Sequence, residues 1–133
     1  MPDVNWLAVI AAALSMFVIG GAWYSPVLFD KAWRRAANLS DADVARGNPA
    51  VIFGAAFVLC LIMAANLAFF IAGPDTTLGF AVGAAVAAGL GWAALSVGVI
   101  ALFERRPLAY VLINGGYLTV GFAVMGLILG LWR

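Results

Sequence analysis

The sequence predicts an all-α integral membrane protein: a four-helix bundle with a short amphipathic interfacial helix between spans 1 and 2. Three observations predict it. Hydrophobic residues make up 66% of the 133 residues and charged residues only 10%, against roughly half and a quarter in soluble domains. A small soluble chain has too much surface for its volume to hide that much apolar area. The apolar residues also fall into four runs with the charges between them, each near the roughly 20 residues that cross about 30 Å of hydrocarbon. In lipid only a helix or a closed barrel satisfies the backbone, and the alternation of barrel strands is absent. The length suits one membrane domain.

The first span covers about 4–25. It has no positively charged leader and runs past signal-peptide length, so it is expected to be retained. Pro26 pushes Ser25 out of the helical region and removes a backbone donor, which kinks or ends the helix there. Trp23 and Tyr24 then suit headgroup depth. Beyond the proline, Lys31, Arg34 and Arg35 share one side of a helical pattern, and Phe29, Trp33 and Ala36 or Ala37 share the other. This is the interfacial helix, in a cytoplasmic loop of about 27–48. Its three cations beside an anionic leaflet contribute on the order of 1 kcal/mol each. Ser40 and Asp43 have capping-box spacing, and Gly47 suits a helix end. Asn48-Pro49 reads as an N-cap followed by proline at the first helical position. It opens the second span, about 50–72. "GPDTT" at 73–77 is a tight turn, the third span covers about 78–103, and Pro107 opens the fourth, about 108–132.

Charge orients the chain. Lys31, Arg34, Arg35, Arg46, Arg105 and Arg106 are six of the seven basic residues, and all lie in the two loops on one side. The other side has Arg133 beside Asp3 and Asp75. The excess of positive charge belongs inside, so an inner-membrane protein with both termini on the non-cytoplasmic side is expected. A net charge of +1 provides no field for nucleic acid.

Several stretches together resemble a known family: "NWLAV" at 5–9, "GGAWYSPVLFDKAW" at 20–33, "LFERRP" at 102–107 and "LINGGYLTVGFAVMGLILGLW" at 112–132. They are similar to the bacterial domain of unknown function 1761 family, small four-span membrane proteins. The resemblance covers essentially the whole chain. It implies a multi-pass topology and brings no catalytic residues with it.

No Asp, Glu, Lys or Arg falls inside a predicted span. Ionisable groups at that depth usually mark ion pathways or proton relays, so a proton-coupled pump is disfavoured. The polar groups that remain are few. Tyr110, Asn114 and Tyr117 share one face of the fourth span, with Gly115 and Gly116 beside them, and Asn114 lies about as deep as Trp23–Ser25. Two readings stand. The face hydrogen-bonds to a neighbouring helix, worth roughly 0.6 and at most about 1.7 kcal/mol per bond, or Tyr24, Ser25, Tyr110, Asn114 and Tyr117 form a small polar pocket open to the cytoplasm. Asn66 in the second span reads as helix glue rather than a ligand.

In the third span Gly79, Gly83, Ala87, Gly91, Ala94 and Gly98 form a stripe of small residues, which lets helices meet backbone to backbone. Ala85, Gly89, Trp92 and Ser96 line the opposite face, so both sides suit protein contact. Close packing within the monomer and a symmetric contact between copies both fit the stripe. Gly126 and Gly130 form a weaker pair of the same kind.

With no histidine and one cysteine, Cys60, inside an apolar run, no nucleophile–base pair or metal site stands out. The chain is expected to be no enzyme and to need no cofactor. A non-enzymatic assembly, scaffold or lipid-interacting module is the first expectation, with membrane lipids and a second copy as partners. The alternative is a small oligomeric transporter or channel for a neutral or small solute.

Overall fold

A computed structural model describes residues 4–71 and 73–132. Asp3 and Arg133, used above to orient the chain, and Ala72, the expected last residue of the second span, lie outside the described residues. Among the described residues every regular element is helical: α1 (Trp6–Trp23), α2 (Asp30–Ala37), α3 (Asp41–Ala45), α4 (Pro49–Ile71), α5 (Leu78–Ala88), α6 (Leu95–Glu104) and α7 (Leu108–Leu131). A π-helical turn, Gly89–Ala94, joins α5 to α6 without a break. Four helices, Trp6–Trp23, Pro49–Ile71, Leu78–Glu104 and Leu108–Leu131, are long and apolar enough to cross a membrane.

The helix ends follow from local chemistry. Asn5 Oδ1 accepts from the backbone N–H of Leu7 at 3.1 Å and Ala8 at 3.3 Å. Asn48 does the same for Ala50 at 3.0 Å, and Thr77 for Phe80 at 3.1 Å. Each side chain satisfies donors that the first turn leaves orphaned. Ser40 and Asp43 complete a full capping box on α3. Ahead of Pro26, α1 stops at Trp23. Asn38 and Arg105, both at φ 57°, end α2 and α6 in the left-handed region. Asparagine tolerates that region; arginine there is rarer.

The loops carrying the basic residues lie at one end of the bundle. Arg106 Nη1 donates to the carbonyl of Ala37, at the end of α2, across 2.9 Å, so the α6–α7 turn is tied to the interfacial helix. α2 puts Asp30 in its first turn and Arg34 and Arg35 in its last, the charge order that complements the helix dipole.

Helix α7 is the hub, packed against α1, α2 and the third span, while α4 packs mainly on α1. The core is made of small side chains with a few large fillers. Ala8, Ala12, Ala13, Ala64, Ala81 and Ala85 are buried around Met16, Ile71 and Met125. Hydrophobicity does not pull helices together in lipid, so close approach of backbones does it instead. A Cβ on Gly126 would lie 2.4 Å from Ala85 Cβ, and one on Gly130 would lie 3.0 Å from Ala81 Cβ. This pair, expected to be the weaker one, is the seat of the third span against α7.

The stripe expected along the third span is not one surface. Gly79, Gly83, Ala87 and Gly91 are exposed, whereas Ala94 is buried against Gly115 and Gly98 meets Val111. The π turn is the cause: its wider winding rotates α6 relative to α5, so a constant 3.6-residue spacing fails across it. The expected opposite face divides as well, with Ala85 and Gly89 buried against α7 and Trp92 and Ser96 exposed.

Candidate functional site

At the basic end, α1 and α7 are joined by three polar contacts. The Trp23 indole Nε1–H donates to the Ile113 carbonyl across 2.8 Å. The Tyr117 hydroxyl donates in the reverse direction, to the Met16 carbonyl at 3.0 Å. Between them the Tyr24 hydroxyl donates to Asn114 Oδ1 at 2.5 Å. Two glycines make room for these rings: a Cβ on Gly116 would lie 2.9 Å from Trp23, and one on Gly20 would lie 3.0 Å from the Tyr117 hydroxyl. A pair of large rings therefore occupies the space that small residues vacate.

Aromatic contacts carry the cluster outward to the interfacial helix. The Tyr24 ring meets Tyr117 edge-on at 5.6 Å and Trp33 of α2 at 5.2 Å. Trp23 lies 4.9 Å from Phe29. Edge-to-face pairs at these separations are attractive, so the apolar side of α2 is held by the same residues that hold α1 to α7.

The five polar residues picked from the sequence are thus only partly brought together. Tyr24, Asn114 and Tyr117 converge. Ser25 turns back to its own helix and donates to the Ala22 carbonyl at 2.7 Å. Tyr110 lies one turn nearer the basic end, with the Arg106 guanidinium 5.8 Å above its ring. Sequence reasoning missed Trp23 as a member of the cluster and Arg106 as the contact of Tyr110. The signal for Trp23 was Gly116, a small residue at matching depth on α7.

The three cations assigned to lipid contact also differ from one another. Arg34 is committed to two carboxylates, Asp30 at 2.8 Å and Asp41 at 2.7 Å. Lys31 and Arg35 are exposed and have no ion pair among the described residues. Asn66 is no interhelical glue: it is exposed, and its amide donates to the Ile62 carbonyl of its own helix at 3.0 Å.

On the third span, open space lies over Gly79, Gly83 and Gly91. Beside them Trp92 is 75% exposed. Neither its indole N–H nor the Ser96 hydroxyl has a hydrogen-bond partner among the described residues. These two polar groups sit near the middle of a membrane-spanning helix.

Comparison with curated proteins and with solved structures gives no match. The family described as "Protein of unknown function (DUF1761)" matches residues 7–130, which takes in all four long helices apart from their extreme ends. The aromatic and glycine positions that join α1 to α7 lie within that match, and the chain belongs to the DUF1761 family.

Proposed function

We propose that this multi-pass membrane protein is a non-enzymatic assembly module whose copies associate through the exposed face of the third span. The observation that carries this reading is Trp92, a large side chain projecting beside a row of uncovered glycines with an unpaired N–H. Lipid tails accept no hydrogen bond, so an indole N–H at that depth is better placed against protein. A second copy supplies the fit. Gly83, Ala87 and Gly91 form a shallow groove, Trp92 is a knob at its edge, and the Ser96 hydroxyl is an acceptor one turn away. A two-fold contact sets the knob of each copy beside the groove of the other. In this reading the basic end faces the cytoplasm of a bacterial cell, at the inner membrane, following the distribution of positive charge.

Native mass spectrometry from lipid tests it. The parent chain is expected to fly as a closed oligomer, and Gly83→Leu and Gly91→Leu are expected to shift it to monomer. A monomeric parent, or leucine variants of unchanged oligomer size, would remove the proposal.

A further inference from the structure

We propose that Arg106, Tyr110 and Asn114 form a binding site for a phosphate group, carried by an anionic lipid in the leaflet at the basic end. The proposal rests on the membrane reading alone and is independent of the third-span contact.

Tyr110 and Asn114 are four apart and share one face of α7, and Arg106, in the turn before it, lies over the Tyr110 ring at 5.8 Å. Their donors are not all used. Asn114 spends its Oδ1 on the Tyr24 hydroxyl at 2.5 Å, and both of its amide N–H groups are left without an acceptor among the described residues. The Tyr110 hydroxyl has none either. Arg106 uses Nη1 on the Ala37 carbonyl at 2.9 Å and reaches Glu104 Oε1 with Nε only at 3.5 Å. A guanidinium has five N–H donors in a fixed fork, so part of that fork remains to be filled. The tether to Ala37 and the Tyr110 ring beneath it, 5.8 Å away, hold the group in place.

All three side chains are partly buried, at the depth where the bundle meets the headgroups. The cluster therefore has spare donors beside one guanidinium, whose ion pair with Glu104 is long at 3.5 Å. Its complement is an anion with several acceptor oxygens. Phosphate matches the guanidinium fork and can take further donors on its remaining oxygens. Basic clefts between helix ends are where such headgroups bind. Arg105, next in the turn, adds positive charge against the single carboxylate of Glu104.

The test compares retention of phosphatidylglycerol with that of phosphatidylcholine, by native mass spectrometry of the full chain released from mixed-lipid nanodiscs. The parent is expected to retain phosphatidylglycerol preferentially. Tyr110→Phe deletes a hydroxyl that has no hydrogen-bond partner among the described residues and keeps the ring under Arg106. Asn114→Asp keeps the acceptor for Tyr24 and exchanges the free donors for negative charge. Each is expected to lower phosphatidylglycerol retention on the order of tenfold, as loss of a hydrogen bond to a charged group does. The pair Lys31→Gln and Arg35→Gln, which removes only the general attraction to an anionic leaflet, is expected to lower it less than either of these variants. Parent-like retention in Tyr110→Phe and Asn114→Asp would overturn the site, as would equal retention of both lipids or loss of binding only in the Lys31/Arg35 variant. Inorganic phosphate added as a competitor separates the sources of the group. Displacement of the lipid assigns the site to a soluble phosphate, and failure to displace it assigns the site to the headgroup.

Discussion

Replacing Gly126 by alanine adds one methyl group where α7 meets α5. That carbon would lie 2.4 Å from Ala85 Cβ, 3.0 Å from the Ala81 carbonyl oxygen and 3.4 Å from Val82 Cα. Carbon atoms rest at about 3.5–4.0 Å, so the first contact is too close by roughly 1 Å or more. No rotamer relieves it, because a Cβ and a backbone oxygen move only with their helix. The two helices must part along their seat, at a cost of about 1–3 kcal/mol for an overfilled core. Stability measured by titrating SDS into mild-detergent micelles, with tryptophan fluorescence as readout, is expected to fall by that amount. Ala85→Gly in the same chain removes the closest contact and leaves the Ala81 oxygen. It should restore part of the loss, with a coupling of roughly 0.5–3 kcal/mol between the two sites. Gly83→Ala, which places its methyl in open space, should cost nothing within the monomer. A Gly126→Ala chain as stable as the parent, or one that Ala85→Gly does not improve, would refute the backbone-contact account of the core.

Trp23→Phe keeps the ring and loses the hydrogen bond to Ile113. It should cost roughly 0.6 and at most about 1.7 kcal/mol in the same titration. In α3 the Asp43 carboxyl is held below the usual Asp range, first by the Ser40 backbone N–H, then by the Ser40 hydroxyl, with Arg46 adding to it. A carboxylate lowered in this way stabilises the folded form above its unfolded pKa, and the contribution is lost as pH falls through the lowered value. Amide protection in α3, with exchange rates normalised to the intrinsic rate at each pH, should therefore be constant near neutrality and fall below about pH 4. In Ser40→Ala this acid-dependent step should shrink, and an unchanged step would argue that the capping box contributes nothing there.

The four spans were legible because their signals are local or additive: apolar length, the Asn48-Pro49 start, the Thr77 cap, the Ser40–Asp43 box. The interfacial helix was legible for the same reason, through Pro26 and the cations that follow it. The face of the third span was not, because its orientation depends on a π turn at Gly89–Ala94 that leaves no trace in residue spacing. Gly79 and Gly98 lie on one stripe only if every turn has the same winding. The convergence of Tyr24, Asn114 and Tyr117 was accessible from depth and helical face. Trp23 was assigned to the headgroups because tryptophan at a helix end usually anchors there, and what overrides that tendency is Gly116, ninety-three positions later in the chain. The destination of Arg34 depended on Asp41, in another helix, which proximity in sequence did not reveal.

Span length has a consequence of its own. At about 1.5 Å per residue the 18 residues of α1 reach roughly 27 Å. The 27 residues from Leu78 to Glu104 reach roughly 40 Å on the same scale, slightly less where the π turn winds wider. A bilayer matched to α1 obliges the third helix to lean steeply or to protrude, and a thicker one drags the ends of α1 beneath the headgroups. Each ångström of misfit costs a fraction of a kcal/mol. The chain thus carries two rulers of different length, and a bilayer of any one thickness leaves one of them tilted or mismatched.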